Sequence, residues 1–469
     1  MQFISKNLNV IIVLLATLAF VIFKIPHLTL PYYWDEAWVY GPAVRLMAQN
    51  GLSLLPDGLP VHYSRGHPLL FHFLAAGWLK IFGNTITASH VFALFISLLL
   101  IVALYVTGTK LFDKKTALAS VLLLLMQPIF LAQSALVLPE VMLALFVLLS
   151  VYFFLKQKML LYFFSATFML FTKETGVAII FVAFILEIIR QKDIILSQPL
   201  KVIKSLFVVG SPVLVLFSYL IVQYFYHGWF LFPGHTGFVT FDINTIINRL
   251  TEGYGAYIFI YQGRNLLFFS ALLLLIYGII RKQKFKHKAE LFSLFAFIVG
   301  FMLVSSVNFF SNRYIMSIIP LFLILMFSII LQVFKNRYLI IGFTLVALVL
   351  QIPVLQKKTG SDHNLGYVNA VKANMAMSDY MTSINIQEKL IYAGFNTREM
   401  LTKPLCGYVE EGNNFKNFLH PYSDKADYYI FSNYDTPKSD WDLPEKSGLE
   451  LVQRFEIGQA WIALYKSKK

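Results

Sequence analysis

"PLLFHFLAAGWLKIF", residues 68–82, is the stretch on which the architecture turns. Counted as a membrane span, it puts Lys114 and Lys115 on the outer side, and Lys156 and Lys158 with them. Laid on the outer surface as an interfacial helix, it sorts the charges. Lys110, Lys114, Lys115, Lys156 and Lys158 then fall inside, followed by Arg190, Lys192, Lys201 and Lys204. The runs "RKQKFKHK" (281–288) and "KNR" (335–337) fall inside as well. Lys and Arg gather in cytoplasmic loops, so the pattern selects the interfacial helix. His72 and Lys80 within the stretch suit an interface better than a bilayer interior.

The surrounding chain has the composition this reading needs. Of 469 residues, 58% are hydrophobic and only 14% charged, which points to a polytopic membrane protein. The net charge of +14 lies mostly in short loops, so it argues for membrane orientation and against nucleic acid. The one cysteine, Cys406, excludes an intrachain disulfide framework and any multi-cysteine metal site. Lys6 precedes an apolar stretch from Val10 to Phe23, but "KIPHLTLPYYWDE" offers no small-x-small cleavage site. The expectation is an uncleaved first helix with a cytoplasmic N-terminus.

Apolar runs occur near 8–26, 85–109, 116–134, 140–155, 159–172, 175–189, 203–226, 265–280, 289–310, 314–334 and 338–355. They predict an all-α polytopic fold of about eleven transmembrane helices, at ~20 residues per span, plus interfacial helices. Residues 1–355 form the membrane domain, with long outer loops at 27–84 and 227–264. Residues 356–469 are more polar, and "KLIYAG", "ADYYIFS" and "AWIALYK" read as strands of a small α/β or α+β extracytoplasmic domain.

On this topology several ionisable groups converge on the outer face, each at a helix end. Asp35 and Glu36 lie in "YYWDEAWVY" (32–40), and Glu140 opens a helix after Pro139. Lys173 closes an apolar helix in "LFTKETG" (170–176). Arg65 and His67 lie in "SRGHPLL" (64–70), and Arg313 and Tyr314 in "SNRYIM" (311–316). Ionisable groups near hydrocarbon are costly, so such convergence is better explained by a site than by chance. A carboxylate beside an aromatic wall has a raised proton affinity, which suits a general base. Arg65 and His67 can donate to a phosphate, and Lys173 and Arg313 can stabilise one. Each also has a bland reading. Asp35 could cap a helix that ends at Gly51, Glu140 could serve the helix dipole, Lys173 could be solvated, and Arg65 and His67 could anchor an interface.

In order and spacing, "WDEAWVY", "RGHPLLFHFLAAGWLKIFG", "VLPEVMLALF", "LFTKETG" and "NRYIMSIIP" resemble the integral-membrane glycosyltransferases of the C superfamily (GT-C). The similarity is to the branch of protein mannosyltransferases and lipid A aminoarabinose transferases, and it covers about residues 1–335. The resemblance implies inverting transfer of a monosaccharide from a polyprenyl-phosphate donor to a lipid, glycan or protein acceptor. The outer face of the cytoplasmic membrane is the implied location. It makes Asp35 the general base, gives Lys173 the donor phosphate and gives Glu140 an acceptor- or sugar-orienting role. From the residues themselves, Glu36 joins the catalytic carboxylates, and His67, Arg65, Arg313 and Tyr314 join the groups expected at the donor phosphate. Many relatives carry an acid where this chain has Gly66, and some use it for a divalent metal. A metal here would turn to His67, His235 or an acid elsewhere. Two rival classes remain at this stage: a flippase or transporter of lipid-linked glycans, and a scaffold presenting the C-terminal domain. A transporter calls for mid-membrane polar groups and paired broken helices. A scaffold leaves the outer charges dispensable.

Overall fold

The computed structural model describes residues 2–333, 342, 346, 349, 360–419 and 421–468. The last expected span, 338–355, lies outside the described residues but for 342, 346 and 349. The membrane part begins with α1 (Gln2–Lys24) and continues with α2 (Gly41–Asn50) and α3 (Leu70–Phe82). It proceeds through α4 (Ile86–Leu111), α5 (Lys114–Leu125), α6 (Pro128–Gln133), α7 (Glu140–Leu155) and α8 (Met159–Thr172). After these come α9 (Val177–Arg190), α10 (Pro199–His227), α11 (Arg264–Ile280), α12 (Lys288–Ser305) and α13 (Ile319–Val333). Among the described residues, four helices are long and apolar enough to cross a membrane: Asn7–His27, α4, α10 and α12. Shorter apolar helices, among them α7, α8 and α13, occupy other expected spans.

Local chemistry sets the breaks. Thr85 caps α4 by accepting from the Ala88 amide at 3.1 Å. Asp113 caps α5 by accepting from the amides of Lys115 and Thr116 at 2.8 Å each. These side chains satisfy amides that a helix start leaves orphaned. The run expected as one span at 116–134 is broken instead, because Pro128 holds Gln127 extended and restarts the chain as α6. Pro212 inside α10 deprives the Val208 carbonyl of its amide partner, and the Ser211 hydroxyl donates to it at 2.8 Å.

Helix α13 is buried from Ile319 to Ile330, as an all-round apolar sequence requires. It packs on α5 and α11, while α7 packs on α4 and α8. Helix α3 is the stretch 68–82, and it lies against α2 and α4. Its Lys80 is exposed, as expected of an interface. His72 is not at an interface. It is buried and stacks on Tyr40 with ring centroids 5.4 Å apart.

The C-terminal domain has α14 (Gly366–Ser383), β1 (Ile391–Tyr392), α15 (Phe395–Thr402), β2 (Phe418–Leu419), β3 (Tyr428–Ser432), β4 (Glu450–Ile457) and β5 (Ala460–Lys466). The sheet order is β2-β1-β3-β5-β4. Strand β1 pairs in parallel with β2 and β3, whereas β5 is antiparallel to β3 and β4. All three expected strand segments appear. The domain docks on the segment that carries Asp35. Tyr32 donates its amide to the Cys406 carbonyl at 3.0 Å, Lys403 donates to the Trp38 carbonyl at 3.2 Å, and Phe395 packs edge-on to Trp38.

Candidate active site

Four helix ends meet at one cavity of about 400 Å³. Its ionisable lining is Asp35, Glu140, Lys173, Arg313, Arg65 and His67, with Glu174, His235 and Tyr314 alongside. Eight of the nine residues assigned a role from sequence are therefore together, and Glu36 is the exception.

Asp35 and Glu36 part company because they sit at the mouth of a π-helical turn, Glu36–Tyr40, that feeds α2. Glu36 is fully buried. It accepts from the His90 ring at 2.8 Å and from the amides of Val137 and Tyr33 at 2.6 and 3.2 Å. Its oxygens are thus committed to stapling three segments, which removes it from the chemistry expected of it. Asp35 makes no capping bond. It accepts from Trp38 Nε1 at 2.8 Å and pairs with Arg313.

Arg313 is the hub. Its Nε donates to Glu140 Oε1 at 3.2 Å, its Nη1 to Asp362 Oδ2 at 2.7 Å, and its Nη2 to Asp35 Oδ2. Lys173 is buried rather than solvated. Its Nζ donates to the same Glu140 Oε1 at 3.1 Å and lies 4.0 Å from the centre of the Tyr314 ring. Burial alone would raise the proton affinity of Asp35, as the sequence suggested. The Arg313 charge, the Trp38 hydrogen bond and Lys173 outweigh it, and its carboxyl is held below the ordinary range. Burial works against a charged Lys173, but Glu140 and the facing tyrosines raise it above the usual lysine value.

A second cluster sits across the cavity. His67 Nδ1 is 2.9 Å from Glu174 Oε2, and the His67 and His235 rings are 4.8 Å apart. Ligand atoms of the three residues all lie within 4.8 Å of one another. Two imidazoles and a carboxylate form a donor set that suits zinc or a similar divalent ion. Gly66 takes no part. It has φ +70°, and a Cβ there would meet Phe232 Cβ at 2.7 Å and a Trp229 ring atom at 2.9 Å. Glu174 supplies the carboxylate instead. Arg65 lies over the rings of Trp38 and Phe232, at 4.9 and 5.0 Å from their centres.

Two further acids join these groups. Glu174 directly follows Lys173 and lines the cavity. Asp362 lies in "GSDHN", a polar segment with no periodicity, and nothing there signals an Arg partner in a distant helix start.

A wholly different cavity lies between α3, α4 and α7. It is a groove of about 960 Å³, lined by Trp78, Phe92, Phe95, Met142 and Phe146, with Lys80 as its charged residue.

Comparison with known proteins bears on the assignment. Residues 66–221 match the family described as dolichyl-phosphate-mannose-protein mannosyltransferase. ArnT from Cupriavidus metallidurans in the apo state is 11% identical to the chain, covers 98% of both chains and superposes with a TM-score of 0.56. It shares the fold. ArnT bound to undecaprenyl phosphate gives 0.49 at 12% identity and 98% coverage of both chains. The Archaeoglobus fulgidus oligosaccharyltransferase with Zn and sulfate gives 0.46 at 13% identity, covering 89% of this chain and 67% of that one. These last two superpositions are too loose to add weight. No curated protein sequence matches at a significant level. The resemblance to the GT-C glycosyltransferases stands on the family match and on the shared fold.

Proposed function

We propose that the protein is an inverting glycosyltransferase of the cytoplasmic membrane. It moves a monosaccharide from a polyprenyl-phosphate donor to a hydroxyl of a lipid, glycan or protein acceptor at the outer face. The observation that carries this reading is the single cavity lined by Asp35, Glu140, Lys173 and Arg313. Direct displacement needs a base on one side of the anomeric carbon and cations on the other. The acceptor oxygen bonds to that carbon as its bond to the phosphate oxygen breaks. The acceptor proton goes to Asp35, and the electron pair leaves with the phosphate toward Lys173 and Arg313. Glu140 accepts from both cations at 3.1 and 3.2 Å and so fixes their position. Arg313 pairs with Asp35 and so masks it. An arriving phosphate competes for the guanidinium, which releases Asp35 and raises its proton affinity when a base is needed. The groove beside α7 has an apolar lining that suits a prenyl chain.

A divalent cation would be held by His67, Glu174 and His235, where it would supply a further positive charge to the cavity.

Native mass spectrometry of detergent-purified wild type and Asp35→Asn tests the reading. A bound polyprenyl-phosphate sugar, intact and enriched on Asp35→Asn, is expected. Recovery of an intact lipid-linked oligosaccharide, equally from both proteins, would favour a flippase instead.

A further inference from the structure

Besides its contacts with Trp38, the C-terminal domain approaches the cavity through a short strap, residues 360–364, and the strap is stitched to both sides. Tyr33 Oη donates to the Gly360 carbonyl at 2.5 Å, and Gln133 Nε2 donates to the Asp362 carbonyl at 2.7 Å. On the domain side, Gly360 sits against Tyr434, where a Cβ would come within 2.6 Å of the tyrosine Cβ. Asn364 Oδ1 accepts from the Gly366 amide at the start of α14. This bracing aims the Asp362 carboxylate at Arg313 Nη1, 2.7 Å away, with the side chain only 9% exposed.

Asp362 does not line the cavity. It holds Arg313 from behind, while Asp35 and Glu140 hold it from the cavity side. The cluster then contains two cations, Arg313 and Lys173, against three carboxylates, Asp35, Glu140 and Asp362. A buried salt bridge of this kind costs desolvation, and here the cost falls on a carboxylate outside the cavity lining.

We propose that Asp362 is a positioning residue, through which the C-terminal domain orients Arg313 and sets the basicity of Asp35. The inference rests on the reading of Asp35 as general base. The excess carboxylate competes for the guanidinium, so Asp35 keeps more proton affinity than a one-to-one pair would leave it. The groups facing Asp362 are Arg313, Asp35 and His363, with Tyr33 nearby. Those facing Asp35 are Arg313 and Lys173, with Glu140 and Tyr40 in the same cluster. Burial raises the Asp362 carboxyl above its usual range, and Arg313 only partly offsets this.

The test measures initial transfer rates from a polyprenyl-phosphate sugar in proteoliposomes across pH. Wild type is compared with Asp362→Asn, Asp362→Glu and Asp35→Asn. Asp362→Asn is expected to lower kcat about tenfold and to move the acid limb down by about one pH unit, because a neighbouring negative charge is gone. Asp362→Glu keeps the charge and is expected to keep the wild-type limb even if its rate falls. It also stands in if the Asn variant fails to fold, since a displaced limb in the Glu variant contradicts the proposal. An inactive Asp35→Asn beside an Asp362→Asn with the wild-type limb overturns the role of Asp362 and leaves the base assignment intact. An active Asp35→Asn overturns both.

Discussion

Replacing Arg313 with Gln removes the cation shared by Asp35, Glu140 and Asp362 and leaves Lys173 alone among three acids. Breaking a buried ion pair from one side costs about 3–5 kcal/mol. Arg313 serves three pairs at once, but its one charge is divided among them. A loss of roughly 4 kcal/mol at pH 7 is therefore the expectation, not three times that. The pH dependence is more diagnostic than the size. Arg313 holds Asp35 below the ordinary carboxylate range. Its contribution is thus complete above about pH 4, the unfolded value, and is lost as pH falls through the lower folded value. Without Arg313, burial dominates and favours neutral Asp35 and Asp362. The variant then gains relative stability as these acids protonate. Unfolding of both detergent-solubilised proteins between pH 4 and pH 8 should show a wide gap at neutral pH that narrows steadily toward pH 4. A gap that stays constant over that range would refute the shared-cation account, because it would mean that the three acids do not depend on Arg313 for their charge.

Lys173→Met removes the cation assigned to the leaving phosphate and should lower transfer ~10²-fold or more, read as initial rates at saturating donor. Glu36→Gln should behave differently. It weakens a buried carboxylate that accepts from the His90 ring and from the Val137 and Tyr33 amides, and should cost about 1–3 kcal/mol in an unfolding titration while the folded fraction keeps its turnover. His235→Ala should abolish any divalent cation that co-purifies in elemental analysis, and Gly66→Glu should fail to restore it, because Phe232 and Trp229 occupy the space.

How far the sequence could be read depends on the kind of information each feature needs. Helix α8 was readable to the residue, because the apolar run 159–172 is closed at both ends by lysines. The broken span at 116–134 had a signal that length alone obscured, namely Pro128 within the run. Side-chain direction was the harder matter. Asp35 and Glu36 are adjacent and chemically alike, yet the π-helical turn sends one into the cavity and the other into the core. The proton affinity of Asp35 depends on the same kind of information. Its aromatic wall is local, but Arg313 comes from 278 residues away. Asp362 reaches Arg313 only through tertiary packing, so no spacing pattern announces it, whereas Glu174 stands beside Lys173 and carries the same helix-end signal. The cations and Glu140 were legible because a charge at the end of an apolar helix is conspicuous and has to be explained.

The most direct test of the central claim is transfer of radiolabelled sugar from a defined polyprenyl-phosphate donor in proteoliposomes, comparing wild type with Asp35→Asn of equal folded fraction. The account predicts sugar-loaded acceptor and free polyprenyl phosphate from wild type, and a rate about 10³-fold lower from the variant. Equal transfer by the two proteins would contradict it.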